Sequence, residues 1–392
     1  MKKLLALIVC ALLAFTLASC VHTHTEVIDE AVAPTCTESG LTEGKHCSEC
    51  GEVLVKQEII PTGHVLANGK CENCDYTYSL GLKFTSNGDG TCYVSGIGTC
   101  SDTEVVIPET SPDGDRVIAI GESAFYYCKS LTSIEIPASV TDISSYAFYW
   151  CTSLSEIRVA DGNTNYKDID GNLYSYDGTE LIRYAEGKTD YTFIIPTSVT
   201  SIGDGAFYNC ESLTNIEIPA SVTEIGELAF YNCYLLTSVT FAKGSQLTSI
   251  VDGAFYKCNS LTSIEIPAGV TSIGYEAFEY CTSLTSVTFA KGSQLTSIGY
   301  LAFASCTSLT SIVIPSSVTS IGNTAFSGCS LLTSIVIPSS VTEIGNYTFS
   351  YCSKLTDVYY TGTEAQWAEI SIGDENSYLT NATIHYNHIP EE

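Results

Sequence analysis

The sequence predicts a mainly β protein built as a solenoid of about nine rungs, preceded by a small cysteine-rich module. Three observations predict this fold. A phenylalanine, nearly always after an alanine, recurs nine times at steps of 23 or 25 residues, with one step of 59. Each repeat also carries the apolar alternation of a short strand. Finally, charged residues are only 15% of the 392 residues, which disfavours amphipathic helices.

Each repeat predicts one rung with two inward-facing segments. Leu131, Ile134 and Ile136 alternate along a strand that Pro137 ends, because proline cannot donate to a strand ladder. A second segment then buries Val140, and the phenylalanine closes the rung. A single rung cannot bury its apolar edges. Rungs stacked about 4.8 Å apart form a continuous core, so stability is a sum over neighbouring interfaces.

A cysteine follows each of these phenylalanines by three residues. Side chains at one phase of a stack point the same way, so neighbouring thiols do not face each other as a disulfide requires. We therefore expect a ladder of free, buried thiols that bind no metal. The nine residues are Cys128, Cys151, Cys210, Cys233, Cys258, Cys281, Cys306, Cys329 and Cys352.

The unit LTSIxIPxSVTxIGxxAFxxC resembles the BspA-like leucine-rich repeats of bacterial surface proteins, over about residues 105–356. The resemblance implies a leucine-rich-repeat solenoid. Family members are cell-surface or secreted proteins, and some are adhesins that bind host matrix proteins, which implies a similar role here. The family has no shared catalytic residues and no binding motif, so the resemblance assigns no site residue.

The first residues predict export. Lys2 and Lys3 precede an apolar run from Leu4 to Leu17 that is too short to span a membrane. The sequence LASC at its end resembles the bacterial lipobox. That resemblance implies that Cys20 is the mature N terminus and the lipid attachment site, which would hold the protein on a bacterial membrane. An ordinary cleaved signal, and therefore secretion, is the alternative.

The cysteine-rich module predicts a structural zinc site. Cys47-x2-Cys50 and Cys71-x2-Cys74 are separated by 20 residues, a spacing that lets two turns present four thiolates to one zinc ion. Residues 34–64 also resemble a small cysteine module found beside repeats in bacterial surface proteins. That resemblance implies another ligand set, Cys36, Cys47, Cys50 and His64. Disulfides are the alternative in an exported protein.

The 59-residue step predicts a β-hairpin. LYSY and ELIRY flank Asp177-Gly178, a dipeptide typical of tight hairpin turns. In the segment before the repeats, the sequence is compatible with a Cys92–Cys100 disulfide and equally with two reduced thiols.

The predicted segments are a lipoprotein signal peptide (1–19), a tether and cysteine-rich module (20–78), an N-terminal cap (79–110), the repeats (111–356, with the hairpin insertion near 161–190) and a C-terminal cap (357–392).

Composition and histidine positions disfavour catalysis and nucleic-acid binding. The formal net charge is -28, which repels phosphate backbones. All six histidines lie outside the repeats, so no Ser-His or Cys-His pair can form there. A carboxylate pair, as in a glycan-active enzyme, is a distant alternative. Binding of an extracellular protein or glycan is the favoured function, with a non-adhesive structural or assembly role in the envelope as the alternative.

Two surfaces are candidates for that binding. Aromatic residues follow the repeated phenylalanines on the turn side, and tyrosine and tryptophan are enriched at interfaces. Outward strand positions become more apolar toward the end of the array. For any single ring, covering a neighbouring rung is the competing interpretation. The candidate residues are Tyr126, Tyr127, Tyr149, Trp150, Tyr208, Tyr231, Val313, Val336 and Tyr359.

Overall fold

The computed structural model describes residues 23–33, 35, 40–60, 66–71, 74 and 77–390. The chain forms two compact units, Met1–Thr77 and Tyr78–Glu392. The predicted signal peptide and the candidate residues Cys20, Cys36 and His64 lie outside the described residues. Within the described ranges, no helix has the length and apolarity needed to cross a bilayer.

The N-terminal unit consists of short antiparallel strands with little apolar core. Among its described residues, the buried apolar side chains are those of Cys47 and Cys71. A unit with so small a core needs a covalent or metal staple to fold. The strand pairs are β1 (Glu26–Asp29) with β3 (Gly44–Cys47), β3 with β4 (Val53–Val55), β2 (Gly40–Leu41) with β5 (Ile59–Ile60), and β6 (Leu66–Ala67) with β7 (Lys70–Cys71).

The C-terminal unit is a β-solenoid of about 13 turns. Its strand face is a series of parallel strands, in which buried or half-buried apolar residues alternate with outward-facing residues. These strands are β10 (Glu104–Val106), β12 (Ser133–Ile136), β14 (Glu156–Val159), β18 (Thr192–Ile194), β20 (Asn215–Ile218), β22 (Ser238–Phe241), β24 (Ser263–Ile266), β26 (Ser286–Phe289), β28 (Ser311–Val313), β30 (Ser334–Ile337), β32 (Asp357–Tyr360) and β34 (Thr383–His385).

A second series of mostly two-residue strands runs beside the Ala-Phe turns, which we call the turn side. It comprises β9 (Thr91–Gly96), β11 (Arg116–Ile120), β13 (Asp142–Ile143), β17 (Glu180–Arg183), β19 (Ser201–Ile202), β21 (Glu224–Ile225), β23 (Ser249–Ile250), β25 (Ser272–Ile273), β27 (Ser297–Ile298), β29 (Ser320–Ile321), β31 (Glu343–Ile344) and β33 (Ser371–Ile372). The mainly β leucine-rich-repeat fold is confirmed. The count of about nine rungs was too low, because the terminal turns and the hairpin turn lack the Ala-Phe-x-x-Cys signature.

The nine repeated phenylalanines form stacks inside the solenoid. From Phe207 to Phe349 consecutive ring centroids lie 4.8 to 5.6 Å apart and the planes differ by at most 10°. Phe125 and Phe148 form a separate pair at 5.7 Å. All nine rings are at most 2% exposed. Each stacked pair contributes about 0.5–1.5 kcal/mol beyond the burial of its area, so the stacks tie neighbouring rungs together on either side of the 59-residue step between Phe148 and Phe207.

The cysteine ladder has a definite hydrogen-bonding role. In seven rungs the thiol donates to the phenylalanine carbonyl of the preceding rung, with Sγ···O distances of 3.0 to 3.3 Å. The ladder thiols are free, and eight of the nine are buried, as predicted. Cys128 is half-buried. The Sγ atoms of Cys128 and Cys210 lie 4.0 Å from the carbonyls of Tyr126 and Tyr208 in their own rungs.

A three-stranded antiparallel meander interrupts the array between Phe148 and Phe207. β15 (Tyr166–Ile169) pairs with β16 (Asn172–Ser175), which pairs with β17 on the other side of the Asp177-Gly178 turn. The Asp177 carboxylate accepts from the Thr179 amide at 3.0 Å, and Gly178 has a φ of +77°. β17 then joins β19 in parallel. The expected hairpin is therefore present, and its last strand belongs to the solenoid.

A buried ion pair takes over the ladder bonds in this meander rung, which has no ladder cysteine. The Arg183 guanidinium donates to the Phe148 carbonyl at 3.1 Å, the bond that a thiol makes elsewhere, and to the Gly205 carbonyl at 2.6 Å. It also contacts Glu186 at 3.0 Å. The Glu186 carboxylate accepts from the Trp150 amide at 3.1 Å, in place of a carbonyl from the next rung.

Short elements close both ends of the solenoid. At the start, β8 (Lys83–Ser86) pairs antiparallel with β9, and Cys92 and Cys100 are free thiols. At the end lie the one-turn helices α1 (Glu364–Trp367) and α2 (Ser377–Thr380). Thr363 caps α1 by accepting from the Gln366 amide. The Trp367 ring packs edge-on against Tyr360 at 5.1 Å.

Candidate binding surface

The residue immediately before each ladder cysteine has a left-handed backbone. Its φ lies between 57° and 75° in all nine rungs. The conformation aims its N–H at the next rung: the Tyr127 amide donates to the Tyr149 carbonyl at 2.9 Å, and the Asn232 amide donates to the Tyr256 carbonyl at 2.8 Å. Glycine adopts this conformation freely and asparagine readily, whereas bulky residues are rare there. The position therefore favours small residues for backbone reasons alone.

The residues present at this position follow the backbone preference only in part. Asn209, Asn232 and Gly328 agree with it. Four rungs instead carry an aromatic residue, with φ between 60° and 64°: Tyr127, Trp150, Tyr280 and Tyr351. A non-glycine residue held in this region costs of order 1–3 kcal/mol. The three tyrosines are also 56%, 39% and 72% exposed, in chain order. Burial of their rings therefore contributes little stability to offset the backbone strain.

The structure corrects part of the predicted aromatic surface. Tyr126 and Tyr127 are exposed, but Tyr149 and Tyr208 are buried and expose only 3% and 7% of their surface. Across the meander rung their rings stack with centroids 4.0 Å apart. The Arg183 guanidinium covers the Tyr149 ring at 4.8 Å. These two tyrosines are therefore core residues and offer no free face to a partner.

The remaining turn-side candidates are half-buried. Trp150 packs edge-on against Tyr208 at 5.9 Å. Tyr231 stacks between Tyr208 and Tyr256, at 4.6 and 5.0 Å. Burial raises the pKa of the Tyr256 phenol to about 12. This second stack thus covers neighbouring rungs, the competing interpretation given by the sequence, and only its outer edge faces solvent.

A carboxyl group ends the tyrosine stack. Glu279 follows Phe278 at the position that tyrosine holds in earlier rungs, and its side chain is only 7% exposed. Burial, reinforced by the neighbouring Glu276 carboxylate, raises the pKa of Glu279 to about 7. The Lys257 ammonium opposes that shift, and it lies 5.2 Å from the Tyr256 ring centre. The stack therefore ends at a buried carboxyl group whose pKa is raised above its ordinary value.

The strand face carries scattered apolar residues. Val313 is 49% exposed, whereas Val336 and Tyr359 are half-buried. Tyr359 stacks on the His385 ring at 4.7 Å. Ile194 is 89% exposed. The alternation of residues along β18 predicts that this side chain points outward, but Ile194 is not among the binding residues predicted from the sequence.

A cleft of about 660 Å³ opens in the strand face between β22 and β24. These strands pair only through Ser238 and Ser263, whereas β20 and β22 pair over four residues. The cleft follows a 25-residue rung, in which the loop around Lys243 replaces the usual Ile-Pro. After the other 25-residue rung, β26 and β28 belong to separate sheets. The longer turns therefore interrupt the strand ladder.

The repeats match a known family over most of the chain. Residues 99–186, 184–294 and 290–387 match the family described as BspA type Leucine rich repeat region, in six copies. The chain belongs to this family. The BspA-type match begins at residue 99, so the N-terminal cysteine-rich unit lies outside it. A comparison with curated proteins found no match.

Solved structures similar to this BspA-type chain include two bacterial leucine-rich repeat proteins. The Eubacterium ventriosum protein is 25% identical with a TM-score of 0.50, over 74% of this chain and 66% of that one. The Bacteroides ovatus protein is 26% identical with a TM-score of 0.50, over 78% and 77%. The pneumococcal vaccine antigen PcpA shares the fold at 21% identity and a TM-score of 0.50, over 73% and 68%. This chain spans just under two thirds of the Eubacterium protein.

The N-terminal unit contains a separate cluster of metal-binding residue types. His24, Cys47 and Cys50 each place one ligand atom within 4.8 Å of the other two. Cys71 and Cys74, which the sequence analysis grouped with Cys47 and Cys50, are not part of it. His24 appears in neither predicted ligand set. The CxxC spacing behind one set and the resemblance over residues 34–64 behind the other both begin after His24, which is why they missed it.

Proposed function

We propose that this BspA-type protein is exported to the bacterial surface and binds another protein through exposed tyrosines on its turn side. One observation carries the proposal: Tyr127, Tyr280 and Tyr351 occupy left-handed backbone positions where three of the other six rungs use asparagine or glycine. The tyrosines cost stability there and are exposed. The stability of the fold therefore does not explain why these positions carry tyrosine. An exposed tyrosine supplies rigid, amphipathic contact area for a partner.

The placement of the three tyrosines favours a macromolecular partner. Tyr127 and Tyr351 lie nine turns apart, which at about 4.8 Å per turn is roughly 45 Å along the solenoid. A small molecule cannot bridge that distance, whereas a protein surface can. The net charge of -28 favours a partner with a neutral or basic face. An extracellular glycan is the competing ligand class, and a non-adhesive envelope role is the competing function.

The proposal includes a lipid anchor on Cys20. The apolar run and the LASC sequence support it. Cells that express the full chain and are grown with an alkyne-labelled fatty acid should incorporate the label. The Cys20→Ser variant should not incorporate it and should be released from the membrane fraction. Label in that variant, or no label in the wild type, would remove the anchor from the proposal and leave a secreted protein.

The binding test uses the full chain on an array of extracellular-matrix proteins and glycans. We expect saturable binding to protein spots. The triple variant Tyr127→Asn/Tyr280→Asn/Tyr351→Asn should bind at least tenfold more weakly, a loss of about 1.4 kcal/mol. Tyr191→Asn is the matched control, because Tyr191 is 69% exposed and does not have a left-handed backbone. It should bind like the wild type.

The stability of the triple variant separates lost contacts from misfolding. Asparagine suits the left-handed backbone better than tyrosine does, so the variant should unfold at a urea concentration no lower than the wild type. Unchanged binding by the triple variant would refute the tyrosine contact. Binding restricted to glycan spots would replace the protein partner with a glycan, and no binding by the wild type would favour the non-adhesive role.

A further inference from the structure

The ligand atoms of His24, Cys47 and Cys50 lie close enough together to share one metal ion. Each lies within 4.8 Å of the other two. His24 Nδ1 is 3.7 Å from Cys50 Sγ. Zinc bonds of about 2.0 Å to nitrogen and 2.3 Å to sulfur put those two atoms about 3.5 Å apart in a tetrahedral site. The observed separation therefore fits an ion between them.

Backbone hydrogen bonds and strand pairing bring these three residues to one end of the sheet. Cys47 ends β3, and its amide donates to the Glu52 carbonyl at 2.8 Å. The Gly51 amide donates back to the Cys47 carbonyl at 2.8 Å, and the φ of Gly51 is +74°. This tight turn presents Cys50. His24 precedes β1, whose antiparallel pairing with β3 brings it to the same end of the sheet.

The second ring nitrogen of His24 is placed as in metal-bound histidines. Its Nε2 lies 3.4 Å from Glu52 Oε2. A neutral imidazole that binds metal through Nδ1 carries its proton on Nε2, and metal-bound histidines nearly always donate that proton to a carboxylate, carbonyl or water. A disulfide between Cys47 and Cys50 would give neither His24 nor this carboxylate a role.

We propose that His24, Cys47 and Cys50 bind one zinc ion. The ion ties the start of β1 to the turn after β3, in a unit whose described buried apolar residues are two cysteines. Zinc affinity then contributes directly to folding. The site is structural and independent of the proposed binding by the solenoid.

The test measures zinc binding by the full chain, purified under reducing conditions. We expect one zinc per chain by elemental mass spectrometry, and competition with a chromophoric chelator gives the affinity. His24→Ala should weaken binding at least tenfold. His46→Ala is the matched control: His46 lies on β3 of the same sheet, where it contacts Asp29 at 2.8 Å, and it is not in the cluster. It should bind zinc like the wild type.

A second variant covers the case in which His24→Ala fails to fold. His24→Cys replaces a nitrogen ligand with a sulfur, so it should retain the metal and, when loaded with cobalt, show stronger thiolate-to-metal charge transfer than the wild type. Three results would overturn the proposal: no zinc in the wild type, a Cys47–Cys50 disulfide in protein recovered from exporting cells, or His24 variants that match the wild type in affinity and cobalt spectrum.

Discussion

Replacing Arg183 with methionine tests whether the ion pair of the meander rung substitutes for a ladder cysteine. Methionine keeps most of the side-chain volume but has no donor. The change removes the bonds to the Phe148 and Gly205 carbonyls and the contact with Glu186, and it uncovers the Tyr149 ring. Arg183 is only 3% exposed and Glu186 is fully buried, so water cannot take over these interactions.

The expected loss of stability depends on pH. Removing one partner of a buried ion pair costs about 3–5 kcal/mol, and we expect a loss of that size at pH 8. Burial raises the pKa of Glu186 to about 7, against the attraction of Arg183, so without the arginine this pKa rises further. At pH 5 the carboxyl is then neutral and no uncompensated charge remains. The loss there should fall to about 2 kcal/mol, the cost of the two carbonyl bonds.

Urea unfolding followed by Trp150 fluorescence measures the loss. Trp150 and Trp367 are the two tryptophans of the chain, so a Trp367→Phe background makes Trp150 the only reporter. Arg158→Met is the matched control. Arg158 is 42% exposed and makes surface ion pairs with Glu135 and Glu156, worth at most about 1 kcal/mol. A loss for Arg183→Met no larger than this control would refute the substitution of the ladder bond.

Two further predictions concern Glu279 and the thiol ladder. Because the folded pKa of Glu279 is about 7 and lies above its ordinary value of 4.5, wild-type stability should fall as pH rises between these values. Glu279→Gln should make that fall smaller, leaving the part that comes from the raised pKa of Glu186, and should gain about 1–3 kcal/mol at pH 8 in urea unfolding; parallel pH profiles would contradict this. In the native chain at pH 8, iodoacetamide should label half-buried Cys128 before buried Cys151, and peptide mass spectrometry that found equal rates would refute the order.

The solenoid core could be predicted from the sequence because every rung buries equivalent residues at the same positions of the repeat. Phe278 and Leu284 have equivalents one turn away, so alternation and spacing together identify which side chains face inward. The thiol ladder follows from the same periodicity. Cys128 departs from it because the turn before it has no Ala-Phe carbonyl to accept its thiol, a boundary effect that the repeat pattern does not contain.

Exposure of the tyrosines could not be predicted, because it depends on contacts across the irregular rung. Tyr149 and Tyr208 are 59 residues apart in the chain yet stack at 4.0 Å. Gly205 permits this approach: the Tyr149 hydroxyl occupies the place that a side chain there would need. Likewise, the spacing of 25 residues predicted a longer turn but not the cleft beside β24, which arises from lost backbone pairing.

Solenoid construction explains how strained tyrosines fit a stable protein. Stability is a sum over neighbouring interfaces, and truncating a buried phenylalanine such as Phe278 costs about 3–5 kcal/mol. A left-handed tyrosine costs of order 1–3 kcal/mol at one turn, which is smaller than one such core contribution. Because the strain stays within its rung, several turns can each carry a contact residue without any interface failing. An extended contact surface can therefore be distributed along the turn side, whereas a single irregular pocket would concentrate the same strain in one rung.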